Sequence, residues 1–298
     1  MRAETSPADK PTPGISVVVP FHNVEKYIGD CLAGLLDQSM PREDYEVILV
    51  DNNSTDRSAE IAAAFDRVVI LREPVTGSYA ARNKGITSSQ APVIATLDPD
   101  CRPDRDWLHQ IAESMRDPKC NIVLGYIRHA TGSRMLDLLE KYEAEKVAFI
   151  TERQEAQLYF GYTSNMAFRR TVFDTVGLFP ERIRGGDTIL VRRAVDKLGC
   201  GIVRFNPQMR ATHLEVDTVK AYYSKRHVYG NSNEHISHTT AFRPLTNGER
   251  WSVFRRLVKS HGFPLGKALL LLAILAPGFL FYETGRGRGM LNYLRFFR

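Results

Sequence analysis

The sequence predicts an α/β fold, a mixed and largely parallel sheet flanked by helices, on three observations. Short apolar, β-branched runs alternate with amphipathic segments at helical spacing through the first hundred residues. Carboxylates and turn formers follow those runs, at the strand ends where open α/β sheets bind ligands. With 298 residues and 43% hydrophobic content, the chain can bury one large core or two smaller ones. Alternation of this kind builds right-handed βαβ units.

The elements follow in order. Ile15 to Pro20 is a β-branched run ended by proline, the first strand. Tyr27, Ile28, Cys31, Leu32, Leu35 and Leu36 then fall on one helical face. Tyr45 to Asp51 carries Val47-Ile48-Leu49-Val50, a second strand, and Asn52-Asn53-Ser54-Thr55 turns into a helix near Asp56 to Phe65. Val68 to Leu71 is a strand, Gly77 to Ser88 a helix, Val93 to Leu97 a fourth strand and Trp107 to Met115 a helix. Beyond this the pattern loosens: Asn121 to His129 reads as a strand, Met135 to Ile150 and Asp187 to Leu198 as helices, and Ile202 to Phe205 as a last strand. Phe160 to Phe168 is rich in glycine and aromatics without a clear period, and Ser237 to Gly248 resembles a linker.

Charge divides the chain. Of the net +6, residues 243–298 carry ten Lys/Arg against two acids, so the basic character belongs to the tail. Its partners should be anionic: nucleotide phosphates, acidic lipid or nucleic acid. The four cysteines are far apart with no Cys-x-x-Cys pair, which reads as reduced thiols in a cytosol-like compartment. Residues 1–14 are polar and proline-rich, expected to be disordered, and lack the apolar core of a signal peptide.

Asp98-Pro99-Asp100 directly follows the fourth strand. Two residues apart in an extended segment, both carboxylates would face the same way. They could hold one hard divalent cation and leave its other positions to waters and substrate phosphates. Asp51 closes the second strand, where a carboxylate can accept from a nucleobase or ribose; local turn bonding is its plainer reading. In Arg184-Gly185-Gly186-Asp187-Thr188, Asp187 can take a proton from an attacking hydroxyl. It also suits a helix N-cap, and a helix N-terminus would lower its pKa and weaken it as a base.

Taken in order, Val17-Val18-Val19-Pro20-Phe21-His22-Asn23, Val50 to Asp56, Gly77 to Gly85, Asp98-Pro99-Asp100, Gly161 to Arg170 (with Asn165 and Arg169) and Gly177-Leu178-Phe179 resemble family 2 glycosyltransferases. The likeness runs over about residues 15 to 230. It implies a GT-A-type fold and inverting transfer from a nucleotide-diphosphate sugar. By the same resemblance Pro20, Asp51, Arg82 and Asp98 line the nucleotide pocket, and Asp100 binds a divalent cation, Mn²⁺ or Mg²⁺. It also places an acid at Asp187 and a histidine, here His213, near the metal. One departure is Ile189, where many members carry a second acid; Arg193 keeps the expected basic position.

In the tail, Trp251, Phe254, Leu257 and Val258 share a helical face, the signature of an interfacial membrane helix or of packing on the catalytic domain. Ala268 to Tyr282 is apolar but broken at Pro277-Gly278; as a helix it spans about 22 Å, short of the ~30 Å hydrocarbon core, so an in-plane or re-entrant anchor is expected. Asn247-Gly248-Glu249-Arg250-Trp251 nearly matches the Gln-x-x-Arg-Trp of processive synthases with Asn for Gln, which fits single-sugar addition.

These readings give a catalytic domain over 15–236, with a nucleotide-binding half (15–100) and an acceptor-binding half (101–236), and a membrane-associating tail over 237–298. The expected activity is metal-dependent inverting transfer at the cytoplasmic membrane face, onto a lipid-linked or growing glycan of a cell-surface or extracellular polysaccharide. A nucleotidyltransferase would need a Gly-rich, Lys/Arg-bearing phosphate loop near the first strand, which Pro20-Phe21-His22-Asn23 does not supply. A non-catalytic sugar-nucleotide or lipid-binding scaffold draws its support from Ile189 alone. Nucleic acid is not an expected partner, because the apolar run beside the basic residues fits a bilayer better.

Overall fold

The computed structural model describes residues 14–130, 132–181 and 184–296. The N-terminal segment expected to be disordered lies outside the described residues, apart from Gly14. Four strands, β1 (Ile15–Phe21), β2 (Tyr45–Asp51), β3 (Val69–Arg72) and β4 (Val93–Leu97), pair in parallel in the order 3-2-1-4. Their helices are α1 (Ile28–Leu36), α2 (Ser58–Ala63) and α3 (Ser78–Ser88). The chain reverses spatial order between β1 and β4, and the crevice beyond their carboxyl ends is the switch point where such sheets bind ligands. Val17 and Val19 face the layer of α1 and α4 (Trp107–Ser114), whereas Val18 faces the opposite one, as the period of two requires.

The second half extends the same sheet with reversed strands. β7 (Asn165–Arg169) lies antiparallel to β4 and to β6 (Ile122–His129). β6 runs parallel to β8 (Val203–His213), and β5 (Cys101–Pro103) closes the edge antiparallel to β8. The sequence missed β5 and β7, because three residues are too few for a period and β7 follows an irregular aromatic stretch. It also stopped the last strand at Phe205, whereas β8 reaches His213. Residues Pro207 to Met209 bulge out of register between the Gly125–Asn206 and Tyr126–Arg210 pairs, which hides the continuation.

α5 (Arg134–Arg153), α6 (Arg170–Val176) and α7 (Gly186–Leu198) cover the other face, and α8 (Val219–Thr239), α9 (Asn247–Ser260) and α10 (Leu265–Phe296) pack beyond them. Three expectations for the tail change here. The 237–248 stretch is stitched down rather than linker-like: Arg243 pairs with Glu155 and Glu249, and Phe242 and Leu245 are buried. α9 turns Val253, Phe254 and Leu257 into the protein core, which favours packing on the domain over the interfacial reading for these residues, while Trp251 of the same helix stays exposed. Arg256 adds ion pairs to Glu145 and Glu152 on α5.

α10 is continuous through Pro277 for 32 residues, so the break expected there does not occur. Its apolar stretch Leu265–Leu291 is long enough to cross a membrane, yet the helix lies along α8 through close glycine contacts. A Cβ on Gly230 would strike the Tyr282 carbonyl, and one on Gly285 the His227 carbonyl, so only glycine lets these backbones approach. Outward, Leu265, Leu269, Leu270, Leu280 and Phe281 remain exposed.

Candidate active site

The turn after β4 is the anchor of the site. Cys101 N–H donates to Asp98 C=O at 3.0 Å, so Asp98-Pro99-Asp100-Cys101 is a β-turn rather than extended chain, with aspartate and proline at their favoured positions. The turn aims the two carboxylates at different partners instead of one face. Asp98 pairs with the buried Arg82 of α3, while Asp100 faces His213.

Register explains the second contact. Cys101 lies opposite His213 in the β5–β8 pair, and Leu214 N–H donates to Asp100 C=O at 2.8 Å. Thus Asp100 Oδ2 stands 3.5 Å from His213 Nδ1. One ligand atom each from Asp100, Cys101 and His213 lie within 4.8 Å of one another. On the far side of the ring, Lys225 of α8 sits 2.7 Å from His213 Nε2 and 2.8 Å from Glu215.

The electrostatics of this turn suit a divalent cation. Burial, then the charge of Asp98, pushes Asp100 up to about 7. Burial, then the charge of Lys225, pushes His213 down to about 4, leaving a neutral imidazole at neutral pH. His213 Nδ1 and Arg82 Nε are buried without a hydrogen-bond partner. A carboxylate and a neutral imidazole suit a divalent cation. Cys101 is the weaker donor, since burial first and the neighbouring aspartates next drive its thiol pKa well up.

Asp187 approaches from α7. Gly185 is the N-cap in the left-handed region (φ 79°), where a side chain would also meet Ile236. Asp187 therefore stands in the first turn, not at the cap, and accepts the Thr188 N–H at 2.8 Å. Burial first, with the charge of Asp98, raises its pKa against the lowering by that N–H, Arg82 and Tyr79. The expected weakening by the helix end is thus reversed: burial makes Asp187 a stronger base than a surface carboxylate.

Tyr79 holds this acid and went unassigned in the sequence. Its ring stacks on Phe179 at 5.5 Å, lies against Gly186 where a Cβ would intrude, and carries the Arg82 guanidinium at 5.5 Å. Beside Asp187, Tyr79 lowers its pKa and so favours the carboxylate. The residue lies inside the Gly77–Gly85 motif, but its partner is more than a hundred residues away and left no local sign.

A cavity of about 580 Å³ connects these groups: Tyr79, Arg82, Asp98, Asp187, His213 and Lys225 all line it. Gly161 to Ser164 form part of its wall, where the sequence placed acceptor selection. Asp100 stands beside the lining residues Asp98 and His213 without itself lining the cavity, and Pro20 and Asp51 do not line it. They sit at the ends of the neighbouring strands β1 and β2, both buried, with Asp51 accepting the Ser54 N–H at 3.0 Å. Asn165 is fully occupied as a structural clamp: Trp107 Nε1 donates to it at 2.8 Å, and its amide donates to Tyr126 and Met209 carbonyls. Arg169 likewise spends its guanidinium on the Met115, Asp117 and Cys120 carbonyls. Arg193 is exposed on α7. Ile189 is buried against Ile236 and Phe242, so its identity answers to packing and no longer favours a non-catalytic scaffold.

A mixed sheet whose parallel half ends in a carboxylate turn at the switch point, with a second acid across the cavity, is an α/β architecture built to bind a ligand there. The family model "Glycosyl transferase family 2" matches residues 16–177, more than half the chain, and the protein belongs to that family. The chain is similar to glycosyltransferase AglE of Haloferax volcanii, 33% identical over 195 residues, 62% of each chain. It is similar also to the probable glycosyltransferase YdaM of Bacillus subtilis, 27% identical over 76% of this chain and 57% of that one. The matches thus span about three-fifths of these relatives. Among solved structures, the mannosyltransferase PcManGT from Pyrobaculum calidifontis, in complex with GDP-Man and Mn²⁺, superposes with a TM-score of 0.63 at 18% identity. That alignment covers 94% of this chain and 84% of the other, and identifies the fold as GT-A-like.

Proposed function

We propose that the protein transfers a sugar from a nucleotide-diphosphate donor to a hydroxyl of a lipid-linked or growing glycan, with inversion, at the cytoplasmic face of a membrane. The observation that carries this reading is the single cavity shared by the Asp98 turn, Arg82, His213 and Asp187. Asp51 and Pro20, at adjacent strand ends, would face the nucleoside. Asp100 and His213 would hold a divalent cation, with Asp98 kept in place by Arg82. When bound, the cation neutralises charge developing on the departing diphosphate. The Mn²⁺ in the similar mannosyltransferase supports this choice.

Asp187 would accept the acceptor's proton as the hydroxyl oxygen bonds to the anomeric carbon and the bond to the diphosphate oxygen breaks. Attack from the side opposite the leaving group inverts the centre. Tyr79 would fix the carboxylate's orientation during that step. The exposed leucines of α10, beside the basic tail residues, would meet an acidic lipid surface.

Turnover tests the proposal. Purified protein, given UDP-, GDP-, dTDP- and CMP-sugars with a membrane lipid fraction, should consume one donor in Mn²⁺ or Mg²⁺ and spare it in EDTA. Consumption equal in Asp187→Asn protein would defeat the assignment of the base.

A further inference from the structure

The cavity does not end at the catalytic acids. It continues into a chamber walled by α5, α8, α9 and α10, where Glu143, Lys146, Arg226 and Arg250 point inward. A single carboxylate serves two cations there: Glu143 pairs with Lys146, and with Arg226 at 3.2 Å, and also accepts the Tyr222 hydroxyl at 2.8 Å. Arg250 finds its carboxylate, Glu283, 3.4 Å away on the outer side. Glu140 of α5 also lines the cavity but accepts from the Tyr126 hydroxyl and the His129 N–H, so Lys146, Arg226 and Arg250 face two carboxylates there. Burial first, then the charges of Arg226 and Arg250, lower the Lys146 pKa against the pull of its partner Glu143. The remaining wall is aromatic and apolar: Phe160 lies under Lys146 at 5.2 Å, Tyr282 under Arg226 at 5.2 Å, and Tyr142, Leu245 and Phe279 complete it.

We infer that this chamber seats the phosphate of a lipid-phosphate-linked acceptor, with Lys146 and Arg226 as the anion ligands and the aromatic wall against the first part of the lipid chain. The inference rests on the glycosyltransferase reading and deepens it, since the same cavity leads from the phosphate to Asp187. The donor diphosphate belongs at the other end, by Asp100. α10 forms one wall of the chamber while exposing Leu269, Leu270 and Leu280 outward, so a chain leaving the chamber meets the helix best suited to a bilayer. Glu143 acts in two ways. It neutralises the cations when the chamber is empty, and it competes with the incoming phosphate.

The test is calorimetric titration of the full chain in nanodiscs, with Mn²⁺ and either UDP or GDP already filling the donor site. Farnesyl phosphate, farnesol and inorganic phosphate are the three probes. Farnesyl phosphate should bind more tightly than either of the others; equal binding by farnesol would overturn the anion site, and equal binding by inorganic phosphate would overturn the lipid assignment. Lys146→Gln and Arg226→Gln should each weaken farnesyl phosphate by about tenfold, the scale of a charge-assisted hydrogen bond. Glu143→Gln should tighten it several-fold, a gain that misfolding cannot mimic, and a loss in all three variants would contradict the inference. Nucleoside diphosphate binding, read in the same experiment, separates the two claims. Intact donor binding without farnesyl phosphate binding rejects the chamber alone, whereas loss of donor binding in the wild type rejects the reading beneath it.

Discussion

At one end of the cavity Asp98 and His213 line the wall; Asp98, Asp100 and Cys101 lie within a single turn, and the β5–β8 register brings His213 to them. At the other end Glu143, Lys146, Arg226 and Arg250 arrive from three helices spread over more than a hundred residues. The strand end is built locally, by backbone hydrogen bonds that fix where each side chain starts. The helical end is built by packing, and its geometry depends on how closely α10 approaches α8. The first should tolerate changes in the helices, and the second should be sensitive to a single methyl group in the glycine seam.

The largest effect expected is at the junction of the two ends. Asp187→Asn should lower kcat by about 10²–10⁴, the usual contribution of a positioned base, while leaving nucleoside diphosphate binding in place. Calorimetry beside turnover checks both halves of that statement.

Next comes the seam itself. Gly285→Val should destabilise the protein by about 1–3 kcal/mol or more through overpacking, because its side chain would strike the α8 backbone at His227. Denaturant unfolding reads the loss. The comparison sharpens if metal-dependent nucleotide binding survives in folded Gly285→Val protein, and breaks if the strand-end site is lost with it.

Thr246→Ala is a smaller perturbation of the helical end. Thr246 and Glu249 form a capping box at the start of α9, and Glu249, bonded also to Arg243, has its pKa held down to about 2. Removing the cap should cost about 1 kcal/mol. For Glu249 the folded pKa is below the unfolded one, so its contribution is present above about pH 4.5 and fades as pH falls toward 2. Chemical unfolding of the variant at pH 7 and pH 3 measures both.

The smallest effect is at Tyr79. Losing its hydroxyl in Tyr79→Phe should lower kcat only a few-fold, the net worth of about one hydrogen bond. With Asp187 as the proposed base, kcat should fall as pH drops through a pKa that burial raises. Tyr79 favours the carboxylate, so the variant's acidic limb should move to higher pH, with KM for the donor little changed. A limb that stays put would make Tyr79 merely structural.

What the sequence revealed follows the same division. The four parallel strands were legible because each carries a short apolar run ended by turn formers, and Asp98, Asp100, Asp187 and Arg82 were legible as residues in motifs. Their arrangement was not. The turn at Pro99, which separates the two aspartates, and the burial that raises Asp187 both depend on neighbours distant in sequence. β8 escaped because the excursion at Pro207 breaks its period, and α10 was read as a short apolar run interrupted at Pro277-Gly278 because a proline inside a long packed helix looks locally like a stop. Glu143, Lys146 and Arg226 looked like ordinary charges on amphipathic helices. Only the packing of α5 against α8, α9 and α10 turns them into a chamber.

The most direct test of the strand-end site is a thermal-shift panel of UDP, GDP, dTDP and CMP, each with Mn²⁺, Mg²⁺ or EDTA, on wild-type and Asp100→Ala protein. The account predicts that one nucleotide raises Tm only with metal, by an amount equivalent to about 2.7 kcal/mol at a hundred times its Kd, and that Asp100→Ala abolishes the shift. No shift under any condition, or an equal shift in EDTA and in the variant, would contradict it.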